Sequence, residues 1–153
     1  IRLMLYFAYG SNLNWHQMMN ERCPGSKYIQ PYILKGYKLI FSHRNPNNKY
    51  GHANIEKNKS FTVPGAIWSL TKNHEKVLDE YEATNFNPPY YYKKYFNWKG
   101  KKVLVYIQKI YTKRSPSSSY LNTIIEGYRD CNLDMNYLKK RISNYTLSYT
   151  VYW

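Results

Sequence analysis

The feature that most restricts this chain lies near its start, where the apolar run LMLYFAY (residues 3 to 9) breaks directly into Gly10-Ser11-Asn12. Apolar residues fall on both parities of the run, so a strand here must be covered on both faces, which places it inside a sheet rather than at a wet edge. Gly10 allows a sharp bend, and backbone N–H groups exposed just before a helix can receive a carboxylate or a developing oxyanion. An ordinary strand-to-helix turn has the same sequence. The turn itself supplies no base: Ser11 has no sequence-adjacent partner, and G-x-S-x-G is absent. A Walker loop is excluded because no Gly-Lys-Ser/Thr follows, and no G-x-G-x-x-G follows the strand.

Further elements can be read along the chain. Asn14 with Gln17 forms the pattern of a capping box for a short helix over WHQMMNER, stopped by Pro24-Gly25. YILKGYKLIFS has strand-forming residues interrupted by Gly36, and PGAIWSL reads as another strand preceded by a turn. Residues 72 to 82 suit a helix with Thr71 as N-cap. YYYKKYFNWKGKKVLVYIQKIY reads as a hairpin turning at Lys99-Gly100, and two helices follow around 117 to 130 and 134 to 143. SNYTLSYTVYW, residues 143 to 153, reads either as an added strand or as a disordered end. Strands and helices intermix without regular βαβ alternation, which predicts a mixed α+β class. At 153 residues the chain is read as one domain, 1–153, able to bury a core without disulfide or metal support.

Charge and composition narrow the function classes. The net charge of +14 raises nucleic acid as a partner. Against it, the lysines are scattered in ones and twos, as in KKYFNWKGKK, YTKR and YLKKR, and the richness in Lys, Asn, Tyr and Ile is what nucleotide bias produces. Nucleic acid is therefore not the expected partner; a diffuse basic field would still draw small anions. No apolar run reaches the roughly 20 residues needed to span a bilayer, and IRLMLYFAYG lacks a small-residue cleavage site. Cys23 and Cys131 form no disulfide framework, so a reduced, cytoplasmic protein is expected. His16, His43, His52 and His74 show no metal-ligand spacing. Oligomeric state is carried by no motif, and a homodimer stays open.

The chemistry-bearing segment is EKVLDEYEA. It holds four of the nine acidic residues, Glu75, Asp79, Glu80 and Glu82. On a helical wheel His74, Val77, Leu78 and Tyr81 share a face; Glu82 stands at its edge and Asp79 points further toward solvent. Partial burial beside Tyr81 would lift a glutamate from about 4.3 toward the range useful for acid–base work. A solvated acidic helix end is the competing reading.

Taken in order, YFAYGSNL (6 to 13), RCPGS (22 to 26), LKGYKLIF (34 to 41), GHANI (51 to 55), VPGAIWSL (63 to 70), LDEYE (78 to 82), PSSSY (116 to 120) and GYRDCNLDMNYL (127 to 138) resemble the γ-glutamylcyclotransferase family. That family is also called AIG2-like or butirosin-cyclotransferase-like. The resemblance implies a small mixed β-barrel with flanking helices and a cleft. It implies that Tyr9, Gly10, Ser11, Asn12 and Leu13 hold a γ-glutamyl head, that Tyr120 lines the pocket, and that Glu82 is the general acid and base. No cofactor and no metal are implied. Two departures stand out: Ala83 occupies a position where relatives usually have Gly, and TNFNPPYYYKK supplies Lys93 or Lys94 where they have Tyr-x-Arg. Asn12 follows Tyr-Gly-Ser where relatives specialised for glutathione tend to have Leu, which disfavours glutathione as substrate. The activity implied is release of 5-oxoproline and a free amine or amino acid from a γ-glutamyl compound. The alternative is a binding module that keeps the fold without turnover and takes a small ligand or nucleic acid.

Overall fold

The computed structural model describes residues 3–153. Six strands form one sheet in the order β4-β5-β1-β3-β2-β6. They are β1 (Met4–Ala8), β2 (Lys27–His43), β3 (His52–Leu70), β4 (Tyr92–Trp98), β5 (Lys101–Ile107) and β6 (Thr112–Lys113). Three α-helices accompany them: α1 (Lys72–Tyr81), α2 (Ser118–Asp130) and α3 (Met135–Ile142). The α+β class holds. The sheet runs from β4 at one edge to β6 at the other without closing, so a barrel describes it only loosely.

β1 lies inside the sheet, antiparallel to β3 and parallel to β5. Its apolar run explains this placement: Tyr6, Phe7 and Ala8 are all buried, as a strand covered on both faces requires. The β4–β5 hairpin turns at Lys99-Gly100, where both residues have positive φ as a two-residue hairpin loop demands. β2 runs through Gly36, where a register shift between Lys35 and Tyr37 lets the strand continue. The turn expected before PGAIWSL is absent. β3 starts at His52, and Pro64 lies within it, past the Ala8–Ala66 end of the β1 ladder, where β3 has a partner on one side only.

The helices follow their caps. Thr71 accepts from the His74 N–H, and the His74 ring Nδ1 in turn accepts from the Thr71 N–H. Ser117 caps α2, and Asp134 caps α3. α2 buries Leu121, Ile124, Ile125, Gly127 and Tyr128 and sits against the turn that ends β1. A Cβ on Gly127 would lie 2.6 Å from the Leu13 Cβ, so glycine sets this approach. The segment after α3 is neither strand nor free end. Tyr145, Leu147, Tyr149, Val151 and Trp153 pack against the core, and the Tyr145 hydroxyl bonds both the N–H and the C=O of Phe41.

Candidate active site

At the end of β1 the chain enters a 3₁₀ turn, Ser11–Leu13, in which the Leu13 N–H donates to the Gly10 carbonyl. The N–H groups of Ser11 and Asn12, at the start of that turn, have no carbonyl partner within it. A Cβ at Gly10 would fall 2.8 Å from the Ala53 Cβ and 3.4 Å from the Tyr120 hydroxyl, so this crossing of three elements needs glycine. Asn14 accepts from the Gln17 N–H as the capping pattern requires. The Gln17 side chain, however, reaches past the cap to the preceding turn instead of closing the box. Its amide donates to Ser11 Oγ and Asn12 Oδ1, both at 2.9 Å. Residues Gln17–Arg22 then wind as a π-helix, with the Cys23 N–H bonded to the Met18 carbonyl. This winding delivers Arg22, whose guanidinium donates to Asn12 Oδ1 at 3.0 Å and lies 4.1 Å over the Tyr81 ring. Asn12 completes the set by donating to the Tyr6 hydroxyl. Its side-chain oxygen is therefore fully engaged in holding the turn's shape.

The turn forms one wall of a cavity of about 160 Å³. Tyr9, Gly10, Ser11 and Asn12 line it, together with Tyr120 and Glu82. Leu13 does not: its side chain is fully buried beneath the turn, against Gly127. Sequence reading missed Tyr6, Arg22, His52, Ala53, Tyr91 and Tyr106, which with Tyr81 complete the lining. The blocks YFAYGSNL, RCPGS and GHANI carry Tyr6, Arg22, and His52 with Ala53; Tyr91 and Tyr106 are tyrosines among nineteen, with nothing local to mark them.

Glu82 is the C-cap of α1. Its N–H bonds to the Leu78 carbonyl, and its own carbonyl accepts from the Tyr91 N–H, so the backbone is tied on both sides. The side chain keeps partial access to the cleft, yet protein surrounds the carboxyl group closely. Burial pushes its pKa up to about 7; Arg22 opposes the rise and Asp79 adds to it. Burial also raises the phenols of Tyr6, Tyr9, Tyr91, Tyr106 and Tyr120, so they face the carboxyl as neutral hydroxyls. Each is anchored. Tyr9 donates to the Tyr106 carbonyl (2.6 Å), Tyr91 to the Ala53 carbonyl (2.6 Å), and Tyr120 accepts from the Ala53 N–H (2.9 Å). Behind Tyr91 a buried amide layer of Gln108, Asn54 and Ser42 fixes the hydroxyl in place. His52, at the exposed side of the cleft, has its pKa lowered by burial, with His43 and Arg22 contributing.

Asp79 does not point away to solvent as the wheel suggests. It accepts from the Tyr106 hydroxyl at 2.7 Å and pairs with Lys93 Nζ, which also reaches Glu75. Lys93 is thereby committed to tying β4 to α1, and neither Lys93 nor Lys94 lines the cleft. Both cysteines are free and buried, with pKa values pushed up to about 11 by burial, the opposite of an activated thiol.

Fold and site together define an α+β domain with a polar, tyrosine-lined cleft that faces a glycine turn with a raised-pKa carboxylate. The family model described as "Gamma-glutamyl cyclotransferase, AIG2-like" matches residues 6–123, and the chain belongs to that family. The human γ-glutamylcyclotransferase is 27% identical over 143 residues, covering 89% of this chain and 76% of that protein. The bovine γ-glutamylcyclotransferase is 28% identical over 145 residues, with the same shares covered. A solved structure described as γ-glutamyl cyclotransferase superposes with a TM-score of 0.80 at 23% identity, over 99% of this chain and 93% of its own.

Proposed function

We propose that this chain cyclises a γ-glutamyl amino acid or amine, releasing 5-oxoproline and the free amine, with Glu82 as general acid and base. The observation that carries the reading is the shared cleft: the carboxyl raised to about 7 lines the same small cavity as the turn from Tyr9 to Asn12. The substrate brings its own nucleophile. Its α-amino nitrogen attacks its own γ-carbonyl carbon, a C–N bond closes a five-membered lactam, and the bond to the departing nitrogen breaks. No serine or cysteine nucleophile is required. Glu82 takes a proton from the α-ammonium group, which frees the attacking lone pair, and returns it to the leaving nitrogen. The second proton that the attacking nitrogen sheds once the C–N bond has formed follows the same route, so that the departing amine leaves as its ammonium.

Holding the glutamyl chain curled supplies much of the rate, because well-aligned intramolecular attack is worth about 7–11 kcal/mol. Tyr9, Gly10, Ser11 and Asn12 form the cradle, with Tyr120 closing it. The turn's N–H groups receive the α-carboxylate or the carbonyl oxygen on which negative charge develops. Leu13 serves this reading indirectly, as the buried residue that seats the turn on α2.

The experiment is incubation with γ-glutamyl-alanine and assay of 5-oxoproline. The wild-type chain should release it, and Glu82→Gln should retain the fold while losing about two to four decades in rate, the usual size of an acid–base contribution. Near-normal turnover by Glu82→Gln would remove Glu82 from the mechanism. No lactam from a panel of γ-glutamyl amino acids and amines would remove the reading itself.

A further inference from the structure

A second concavity shares no lining residue with the cleft. It has a volume of about 560 Å³ and lies where the outer edge of β2 meets β6 and the segment after α3. Of its ten lining residues four are cationic, Lys38, Lys113, Arg114 and Arg141, and none is acidic. In a chain whose other lysines are spread in ones and twos, four cations converging on one hollow is a local event.

Apart from Lys113, which pairs with Glu56, the cations are held in place by groups that leave their charge unpaired. The Arg141 guanidinium stacks 4.7 Å from the Phe61 ring and 5.7 Å from Tyr137, and its buried Nε has no hydrogen-bond partner. Lys38 Nζ lies 5.0 Å over the same Phe61 ring. Arg114 is pinned by donating to the Lys113 and Pro46 carbonyls. Among the described residues none of these three enters an ion pair. Glu56, opposite Lys38 in the β2–β3 ladder, is engaged by Lys113 at 3.3 Å and by the Tyr111 hydroxyl at 2.8 Å. Arginine's fork suits phosphate oxygens held two at a time. Asn144 and Ser115 add neutral donors on the wall. The volume falls in the range of small-molecule sites and exceeds what one phosphate fills.

We propose that this hollow is a binding site for a compact oligophosphate, a small molecule with at least two adjacent phosphate groups, independent of the Glu82 cleft. Convergence on one local concavity favours such a ligand over nucleic acid, which would require a basic stripe along a groove or face.

The test uses inorganic pyrophosphate titrated into the full chain at about 0.15 M salt, where long-range attraction between exposed charges is screened. Calorimetry gives the affinity, and amide chemical shifts give the location. Saturable one-to-one binding is expected, with shifts confined to residues 38–40, 113–115 and 144–146. Arg141→Gln and Lys38→Gln should each weaken it about tenfold or more, the size expected for losing a charge-assisted bond. Should Arg141→Gln fail to fold through loss of its stacking on Phe61, Lys38→Gln decides alone. Absence of saturation, shifts spread over the whole basic surface, or unchanged affinity in the folded variants would each overturn the proposal. So would a DNA duplex that displaces pyrophosphate from these residues at lower concentration.

Discussion

Lifting the Glu82 carboxyl to about 7 costs folding free energy at any pH where the group must ionise inside the cleft. The native state holds this proton up to about pH 7, whereas an unfolded chain releases it near 4.5. Between those values the native state binds more protons, so this group's contribution falls as pH rises and reaches its full penalty above about 7. Glu82→Gln has no such titration. Its stability relative to wild type should therefore climb between about pH 5 and pH 8, to at most about 3 kcal/mol. Urea unfolding at both pH values measures it, and the same difference at each would mean that the carboxyl is not desolvated. The raised value was legible in the sequence only as a consequence of partial burial beside Tyr81. In the structure Tyr81 is largely exposed, and the desolvation comes from the ring of tyrosines contributed by β1, β5, α2 and the segment before β4.

Among the elements, α1 shows why one departure from the family pattern matters. Ala83 follows the helix with φ of 49°, the left-handed conformation that glycine adopts without penalty and alanine does not. Ala83→Gly should therefore stabilise the chain by about 0.5–1 kcal/mol without moving Glu82. Thermal unfolding checks it; a fall in stability would mean that the Ala83 methyl packs usefully. Local signals of this kind were readable throughout. Thr71, Ser117 and Asp134 cap where helix-start chemistry allows, and Lys99-Gly100 turns the β4–β5 hairpin. What escaped reading was non-local. The turn expected before Pro64 is overridden because β3 continues along β2. The Gln17 side chain does not close its capping box because the Asn14 N–H already donates to the Ser11 carbonyl, which leaves the Gln17 amide to donate to Ser11 and Asn12. Asp79 likewise takes its partners from β4 and β5, which no helical wheel contains.

Across the whole molecule, the open sheet has an exposed-edge problem that its last residues solve. Along β2 beyond the short β6, the N–H groups of Leu39 and Phe41 have no strand to bond, and the hydroxyls of Tyr137 and Tyr145 take that place. Tyr145→Phe removes the hydroxyl that serves both polar groups of Phe41 and should cost about 1–3 kcal/mol, read from denaturant midpoints. A neutral effect would mean that solvent satisfies the edge equally well. No helix among the described residues is long and apolar enough to cross a membrane. The order of family-like blocks foretold which strand-end turn and which helix end would meet. It could not foretell that a tyrosine-rich wall drawn from β1, β5, α2 and the segment before β4 would surround them.

The pH dependence of kcat/KM on γ-glutamyl-alanine bears on all of this at once. If the Glu82 carboxylate is the base that frees the attacking amine, activity should rise with pH along an acidic limb centred near 7, and that limb should vanish in Glu82→Gln. A limb near the ordinary glutamate value of 4.5, or one that persists in the variant, would contradict the role assigned to this carboxyl.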